Sequence, residues 1–398
     1  MALFTAPASQ AQSEVAVDIG SFGLRQLRLG MATPLAQGFE LRASASQTEL
    51  DGFRPHSAAD RRLANVRLGW KGSADTVTLL LSDHRQNADD PLGLDRAQFN
   101  ANARQTTPQA LEYNTRKTVS QTQLGLNWKH RFGDGALRAS EFTAYGGGRS
   151  VLGYLAVPAI AQRPASSGGG VVDFDREYQG VDAKLLWRLG PGELITGAAF
   201  ETQRDDRRGW QNFSGNATAP TNKGRISLLR RDEINTAETR ELYAQALWPL
   251  ASDVALTAGV RGGEARLRAE DRYLSNGNDS GGFNYRYTNP VLGLHWQLQP
   301  GWALHASVAR GFESPTLGEV AYAPTTQTGG GFNKSLAGQT SRQTELGSKW
   351  RMAQGSLDAT LFTADTDNEI GVQSNSGGRS VFQNVGRTHR HGLELAGA

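Results

Sequence analysis

Seven of the eight tryptophans, Trp70, Trp128, Trp187, Trp248, Trp296, Trp302 and Trp350, stand beside short polar turns reading KGSAD, RFGDG, RLGPG, PLASD, QLQPG and AQG. An indole favours the level where an apolar slab meets water, because its ring is oily and its N–H seeks a polar partner. Rings set at one end of successive hairpins therefore mark one edge of a membrane band, the girdle of a transmembrane β-barrel. A soluble sheet protein would scatter tryptophan through its core.

The segments between the turns alternate as such strands must. Phe39, Leu41, Ala43 and Ala45 interleave with Glu40, Arg42, Ser44 and Ser46, and Leu124, Leu126 and Trp128 with Gln123, Gly125 and Asn127. Val181, Ala183, Leu185 and Trp187 repeat the pattern, as do Leu292, Leu294 and Trp296. One face is oily and the other wet, at period two. Leu80 and Leu186 fall on the polar side, and no single parity fits residues 137–145.

Composition is compatible with this. A mean hydropathy of −0.48 resembles that of a soluble protein, but a barrel shows lipid only alternate residues of roughly ten-residue strands. No run approaches the ~18 apolar residues of a spanning helix, which leaves a barrel as the way across a bilayer. A net charge of +3 over 398 residues gives no case for nucleic acid, and the absence of cysteine removes disulfides and thiolate metal sites.

Connections alternate in length. Short turns near 34–37, 72–74, 133–135, 190–192, 250–253, 299–301 and 353–355 alternate with long polar loops near 50–61, 85–118, 148–177, 205–235, 267–283, 311–340 and 367–387. Outer-membrane barrels are built this way, with turns periplasmic and loops outside. Counting from residues 14–20, with a tight hairpin at Phe22-Gly23, to residues 389–395 predicts about sixteen antiparallel strands. Residues 1–7 carry no secretory signal, and residues 395–398 do not complete an amphipathic closing strand, so the sequence reads as a fragment.

Several motifs then come into view. Phe4-Thr5-Ala6, Asp51-Gly52-Phe53-Arg54, the stretch Gly311-Phe312-Glu313-Ser314-Pro315-Thr316-Leu317 with Glu319, Asn333-Lys334-Ser335-Leu336, Glu345-Leu346-Gly347, and 384–394, which runs from Asn384 to Glu394, resemble TonB-dependent outer-membrane receptors in order and spacing. That resemblance implies a plug domain followed by a barrel of about 22 strands. Residues 1–12 would be the remnant of the last plug strand and its linker, and 13–398 an incomplete barrel. It further implies a bacterial outer-membrane receptor of the siderophore type, monomeric and free of cofactor, surrounded by lipid and lipopolysaccharide, with TonB acting through the missing plug. Residues 316–341 contain no histidine, which argues against haem as the ligand.

Candidate ligand contacts lie in two loops. Arg207, Arg208, Trp210, Arg225, Arg230 and Arg231 place cations with an aromatic ring above the pore, where an anionic metal chelate would be attracted; lipopolysaccharide phosphates or plain solvation would use the same residues. Arg104, Tyr113, Arg116 and Lys117 form a second, similar set. His389 and His391 share a strand face without a third ligand and read as lumen-facing polar residues, so no metal site is expected. The runs Gly168-Gly169-Gly170 and Gly329-Gly330-Gly331 precede no helix and read as loop tips. The seven histidines are scattered and nominate no catalytic group, so an enzyme is not expected. The expected function is active transport of a scarce ligand, a ferric siderophore; a passive sixteen-stranded porin, or a receptor for cobalamin or another chelate, are the rivals.

Overall fold

The computed structural model describes residues 7–324, 327, 331–376 and 379–398. The motif Phe4-Thr5-Ala6 and Gly329-Gly330 lie outside the described residues. In chain order the strands are β1 (Gln12–Ile19), β2 (Arg25–Pro34), β3 (Phe39–Leu50), β4 (Ala59–Lys71), β5 (Asp75–Asp89), β6 (Arg116–Arg131), β7 (Leu137–Tyr154), β8 (Val171–Leu189), β9 (Gly192–Trp210), β10 (Ser214–Asn216) and β11 (Ala219–Thr221). They continue as β12 (Leu229–Pro249), β13 (Val254–Asp271), β14 (Gly281–Gln299), β15 (Trp302–Glu313), β16 (Gln339–Met352), β17 (Gly355–Asp367), β18 (Ile370–Ser376), β19 (Arg379–Asn384) and β20 (Thr388–Gly397). Sixteen of these form one antiparallel sheet in chain order from β1 to β20, while β10–β11 and β18–β19 are separate hairpins in the loops. The loop between β5 and β6 adds two short helices, α1 (Arg96–Ala101), opened by a capping box at Asp95 and Gln98, and α2 (Pro108–Glu112).

The architecture is thus an all-β transmembrane barrel wall, and local chemistry explains its turns. Phe22 and Gly23 both take positive φ, of 60° and 71°, the backbone twist that joins two adjacent strands tightly. All seven girdle tryptophans sit at the short-turn ends, with Phe39 opposite Trp70, Val77 opposite Trp128 and Trp302 opposite Trp350. They share parity with exposed apolar residues such as Leu242, 70% exposed, and Leu346, 56% exposed. That face is the outside of the wall.

The inside is polar and tightly fitted. Tyr145, Tyr178, Tyr243 and Tyr287 each lie opposite a glycine on the neighbouring strand, Gly180, Gly147, Gly197 and Gly263 respectively. A methyl group on Gly197 would stand 2.3 Å from the Tyr243 ring, so the glycine supplies the space that the ring fills. The phenols then reach carboxylates, Tyr145 donating to Glu201 Oε1 at 2.8 Å and Tyr243 to Asp182 Oδ2 at 2.9 Å.

Two expectations need correction, and the stretch that no single parity fits finds its cause. Parity failed over 137–145 because the β7–β8 ladder slips between Leu137 and Ala139; the extra residue reverses which side chains point outward. The long loops are shorter than expected: β7 runs to Tyr154, β8 begins at Val171, β9 reaches Trp210 and β12 begins at Leu229. A strand needs ~9–11 residues to cross a bilayer, so strands of 19 and 21 residues carry their ladder into water, where apolar alternation stops but pairing does not. His389 and His391 share parity with Leu393 and Leu395, both well exposed, so they belong to the outer face and not the lumen. His389 Nδ1 is engaged by Asp365 at 2.8 Å.

Burial concentrates at the loop end. Val320, Phe332 and Leu336, all from the β15–β16 loop, pack against Leu267 on β13 in one apolar cluster. The β19 residue Arg379 donates to Ser166 O at 2.8 Å, tying the last loops to the β7–β8 loop on the lumen side.

Candidate functional site

The loop-side rim of β8, β9 and β12 assembles a charged wall by strand parity. On β9 the odd residues face the lumen, so Asp205 and Arg207 point inward while Asp206 and Arg208 point outward. Arg176 on β8 grips Asp205 in a bidentate pair, Nε to Oδ1 at 2.8 Å and Nη2 to Oδ2 at 2.7 Å. Glu233 on β12 faces Arg207 directly, at 3.4 Å. A register shift between Leu229 and Arg231 then separates two sequence neighbours. Arg231 stays inward, while Arg230 turns to the β7–β8 loop and donates to Pro164 O at 2.6 Å.

Two residues from distant loops complete the arrangement. Tyr322 brings its ring beneath Arg231 at 4.4 Å and Arg379 at 5.3 Å, within cation–π range. Burial works to raise the Tyr322 phenol, but the guanidiniums of Arg231 and Arg207 outweigh it and draw its pKa below the ordinary 10.0. Between these groups lies a cavity of about 450 Å³, whose charged lining is Arg207, Arg208, Arg231, Arg379 and a single carboxylate, Glu319. Glu319 is already occupied, accepting from Thr316 N at 2.7 Å and Thr316 Oγ1 at 3.0 Å. Among the described residues Arg231 Nη1 is buried and donates no hydrogen bond; Glu233 Oε1, at 3.6 Å, is close enough only for charge. A positively charged recess with an unspent guanidinium donor is suited to an anion.

The structure thus gathers Arg207 and Arg231 and disperses the other residues singled out from sequence. Arg208 borders the recess but points out of the wall, where it pairs with Asp206 at 3.2 Å. Trp210 has outward parity, and its buried Nε1 has no partner among the described residues. Arg225 is exposed. Arg104 stacks on Phe53 at 5.2 Å and Phe22 at 5.8 Å, and Arg116 on Tyr154 at 3.5 Å. Tyr113 is buried and its hydroxyl accepts from Ala159 N at 3.0 Å, which ties one loop to the next. Tyr322, Arg379 and Glu233 were missed. Tyr322 and Arg379 lie in loops with no pattern of their own, and only parity with Arg207 could have nominated Glu233.

The motif residues act as loop fasteners. Arg54 Nε donates to Gln105 O at 2.9 Å and its Nη2 to Pro91 O and Leu92 O at 2.6 Å. Asn333, fully buried, donates to Phe382 O at 2.9 Å, and Asn384 Nδ2 donates to Ala337 O at 3.0 Å and Asn368 O at 2.7 Å. These bonds hold the segments that carry Tyr322 and Arg379. Among the described residues no group of histidines and carboxylates could hold a metal ion.

Comparison with known proteins agrees with this architecture. Residues 64–398 match the family model described as TonB dependent receptor-like, beta-barrel. Among solved structures, the copper transporter OprC superposes with a TM-score of 0.76 at 14% identity, over 98% of this chain and 59% of that one. The ferric citrate transporter FecA in its unliganded form gives 0.73 at 17% identity, over 99% of this chain and 57% of that one. The ferric yersiniabactin uptake receptor FyuA from Yersinia pestis gives 0.72 at 17%, over 99% and 59%. At these identities the structures speak for the fold alone, and the chain spans less than two thirds of each of them. With the family model matching most of its length, the chain belongs to the TonB-dependent receptor family and carries that family's β-barrel.

Proposed function

We propose that this chain provides barrel wall and outer loops for an active-transport receptor of the bacterial outer membrane that captures an anionic metal chelate, a ferric siderophore, and is energised by TonB. The observation that carries this is the lumen-facing set Arg207, Arg231 and Arg379 around a cavity of about 450 Å³. Such a recess draws an anion from solution and holds it by charge-assisted hydrogen bonds in a partly desolvated setting. Residues 1–12 would join the wall to a plug through which TonB acts, and the receptor would work as a monomer among outer-membrane lipid and lipopolysaccharide. Chemical catalysis has no part in this reading.

The test is equilibrium binding to the purified full-length receptor, with ferric citrate as anionic probe and a neutral ferric hydroxamate and cobalamin as comparisons. Arg231→Gln and Arg207→Gln are expected to weaken the anionic probe by at least thirtyfold, the equivalent of the ~2 kcal/mol lower bound for removing a buried charged contact. Unchanged affinity in both variants, or equal binding of the neutral complexes, would reject the anionic reading. Ligand entry that persists in cells lacking TonB would favour a passive pore.

A further inference from the structure

The hydroxyl of Tyr322 lines the arginine recess, and among the described residues it makes no hydrogen bond. The segment that carries it is pinned on both sides. Ala321 O accepts from Arg231 Nη2 at 3.3 Å, Ala323 N donates to Gly331 O at 2.6 Å, and the neighbouring Val320 is buried in the apolar cluster. Arg231 and Arg379 stack over the ring. A methyl group on Gly168 would stand 3.3 Å from the phenol oxygen and 3.5 Å from Arg231 Nε, so oxygen, guanidinium and loop glycine meet at the cavity wall.

The nearby carboxylates are engaged elsewhere. Glu233 Oε1 accepts from Asn235 Nδ2 at 2.9 Å and faces Arg207, and Glu319 is held by Thr316. Burial opposes an anionic oxygen on Tyr322, but Arg231 and Arg207 favour it more strongly. A phenolate is a hard oxygen donor of the kind that ligates ferric iron. A chelate gripped through its outer oxygens by Arg207, Arg231 and Arg379 turns its metal toward this oxygen wherever one coordination position is open to exchange. Leu155 and Phe382 line the same cavity and limit the water that competes for that position.

We infer that Tyr322 binds the iron of the captured chelate directly, and that the recess takes ferric carboxylate complexes with an exchangeable coordination position. This rests on the anionic-chelate reading above and narrows the class of chelate. On binding, the bond between iron and a coordinated water breaks, the Tyr322 O–H gives its proton to solvent, and a bond between iron and the phenolate oxygen forms; the iron stays ferric throughout. The guanidiniums then select for charge, and Tyr322 selects for the metal and for its open position.

The test is titration of the purified full-length receptor with two probes, followed by visible absorbance and equilibrium binding. Ferric citrate is the exchangeable probe; tris(oxalato)cobaltate(III), anionic and inert to ligand exchange, is the comparison. Ferric citrate is expected to raise a phenolate-to-iron charge-transfer band on the parent. Tyr322→Phe, which keeps the ring between its arginines, should abolish the band and weaken ferric citrate by at least the ~10-fold that losing a supporting group around a metal costs. The cobalt complex should bind parent and Tyr322→Phe equally. No band on the parent, unchanged ferric citrate affinity in Tyr322→Phe, or an equal loss for the cobalt complex, which would mark a hydrogen bond to any anion, overturns the proposal. A parent that binds both probes without a band loses this proposal and keeps the anionic reading. A band and affinity that both survive Arg231→Gln and Arg207→Gln do the reverse.

Discussion

Gly209 offers a direct test of how the arginine recess is held together. Its inward face lies under the β7–β8 loop, and a methyl group there would stand 2.1 Å from Gly168 O and 3.1 Å from Arg231 Cβ. Because the nearer obstacle is backbone, it cannot rotate aside, and the loop must recede by about 1 Å to reach ordinary contact distance. Two hydrogen bonds resist that movement, Gly170 N to Trp210 O and Leu155 N to Gly170 O, each 2.8 Å. Overpacking costs about 1–3 kcal/mol and each of the two weakened bonds about 1 kcal/mol, so Gly209→Ala should destabilise the closed loop by about 3–5 kcal/mol. At tenfold per 1.4 kcal/mol this raises local opening by roughly 100- to 4,000-fold. Hydrogen exchange at the Gly170 and Leu155 amides reads the opening, and the loss of a formed recess should weaken ferric citrate in parallel. Gly153→Ala is the control, since a methyl group on Gly153 meets nothing within 4 Å. Exchange within twofold of the parent in Gly209→Ala, or an equal change in Gly153→Ala, would show that the loop is not seated as argued.

Two further predictions concern titration. The Tyr322 phenol is opposed by burial but held below its ordinary pKa by Arg231 and Arg207, so a tyrosinate absorbance step should begin below pH 10 and move upward in Arg231→Gln; an unmoved step would break the assignment. Asp279, in the β13–β14 loop, has its pKa raised from the ordinary 3.8, first by burial and then by Asp271, against the opposing pull of Arg231 and Lys334, while Glu233 adds to the rise. A raised folded-state acid stabilises below its unfolded pKa, and that contribution is lost as pH climbs through the folded value. Protection of the Phe332 amide, which donates to Asp279 O, should therefore fall as pH rises above about 4 once intrinsic exchange is corrected, and Asp279→Asn should flatten the profile. A pH step that survives that substitution would assign it to another group.

How much was legible from residues alone differs between wall and site. Tryptophan placement and period-two alternation are written locally, because a strand between lipid and a wet lumen has no other way to satisfy both faces. The sixteen strands, their order and the first hairpin at Phe22-Gly23 follow from that patterning. Loop lengths did not, since the ladder continues above the bilayer where neither face needs to be apolar, and 137–145 resisted because a single inserted residue reverses parity without leaving a mark in composition.

The sequence by itself determined which class of wall this chain builds and which end of each strand carries the girdle, because those depend on residues one or two positions apart. Only the tertiary structure decided that Arg207 and Arg231 converge while Arg208 and Arg230 diverge, and that Tyr322 and Arg379 join them. Those outcomes turn on parity, one bulge and the docking of segments far apart in the chain, where side-chain direction and chain closure, and not residue type, set what meets.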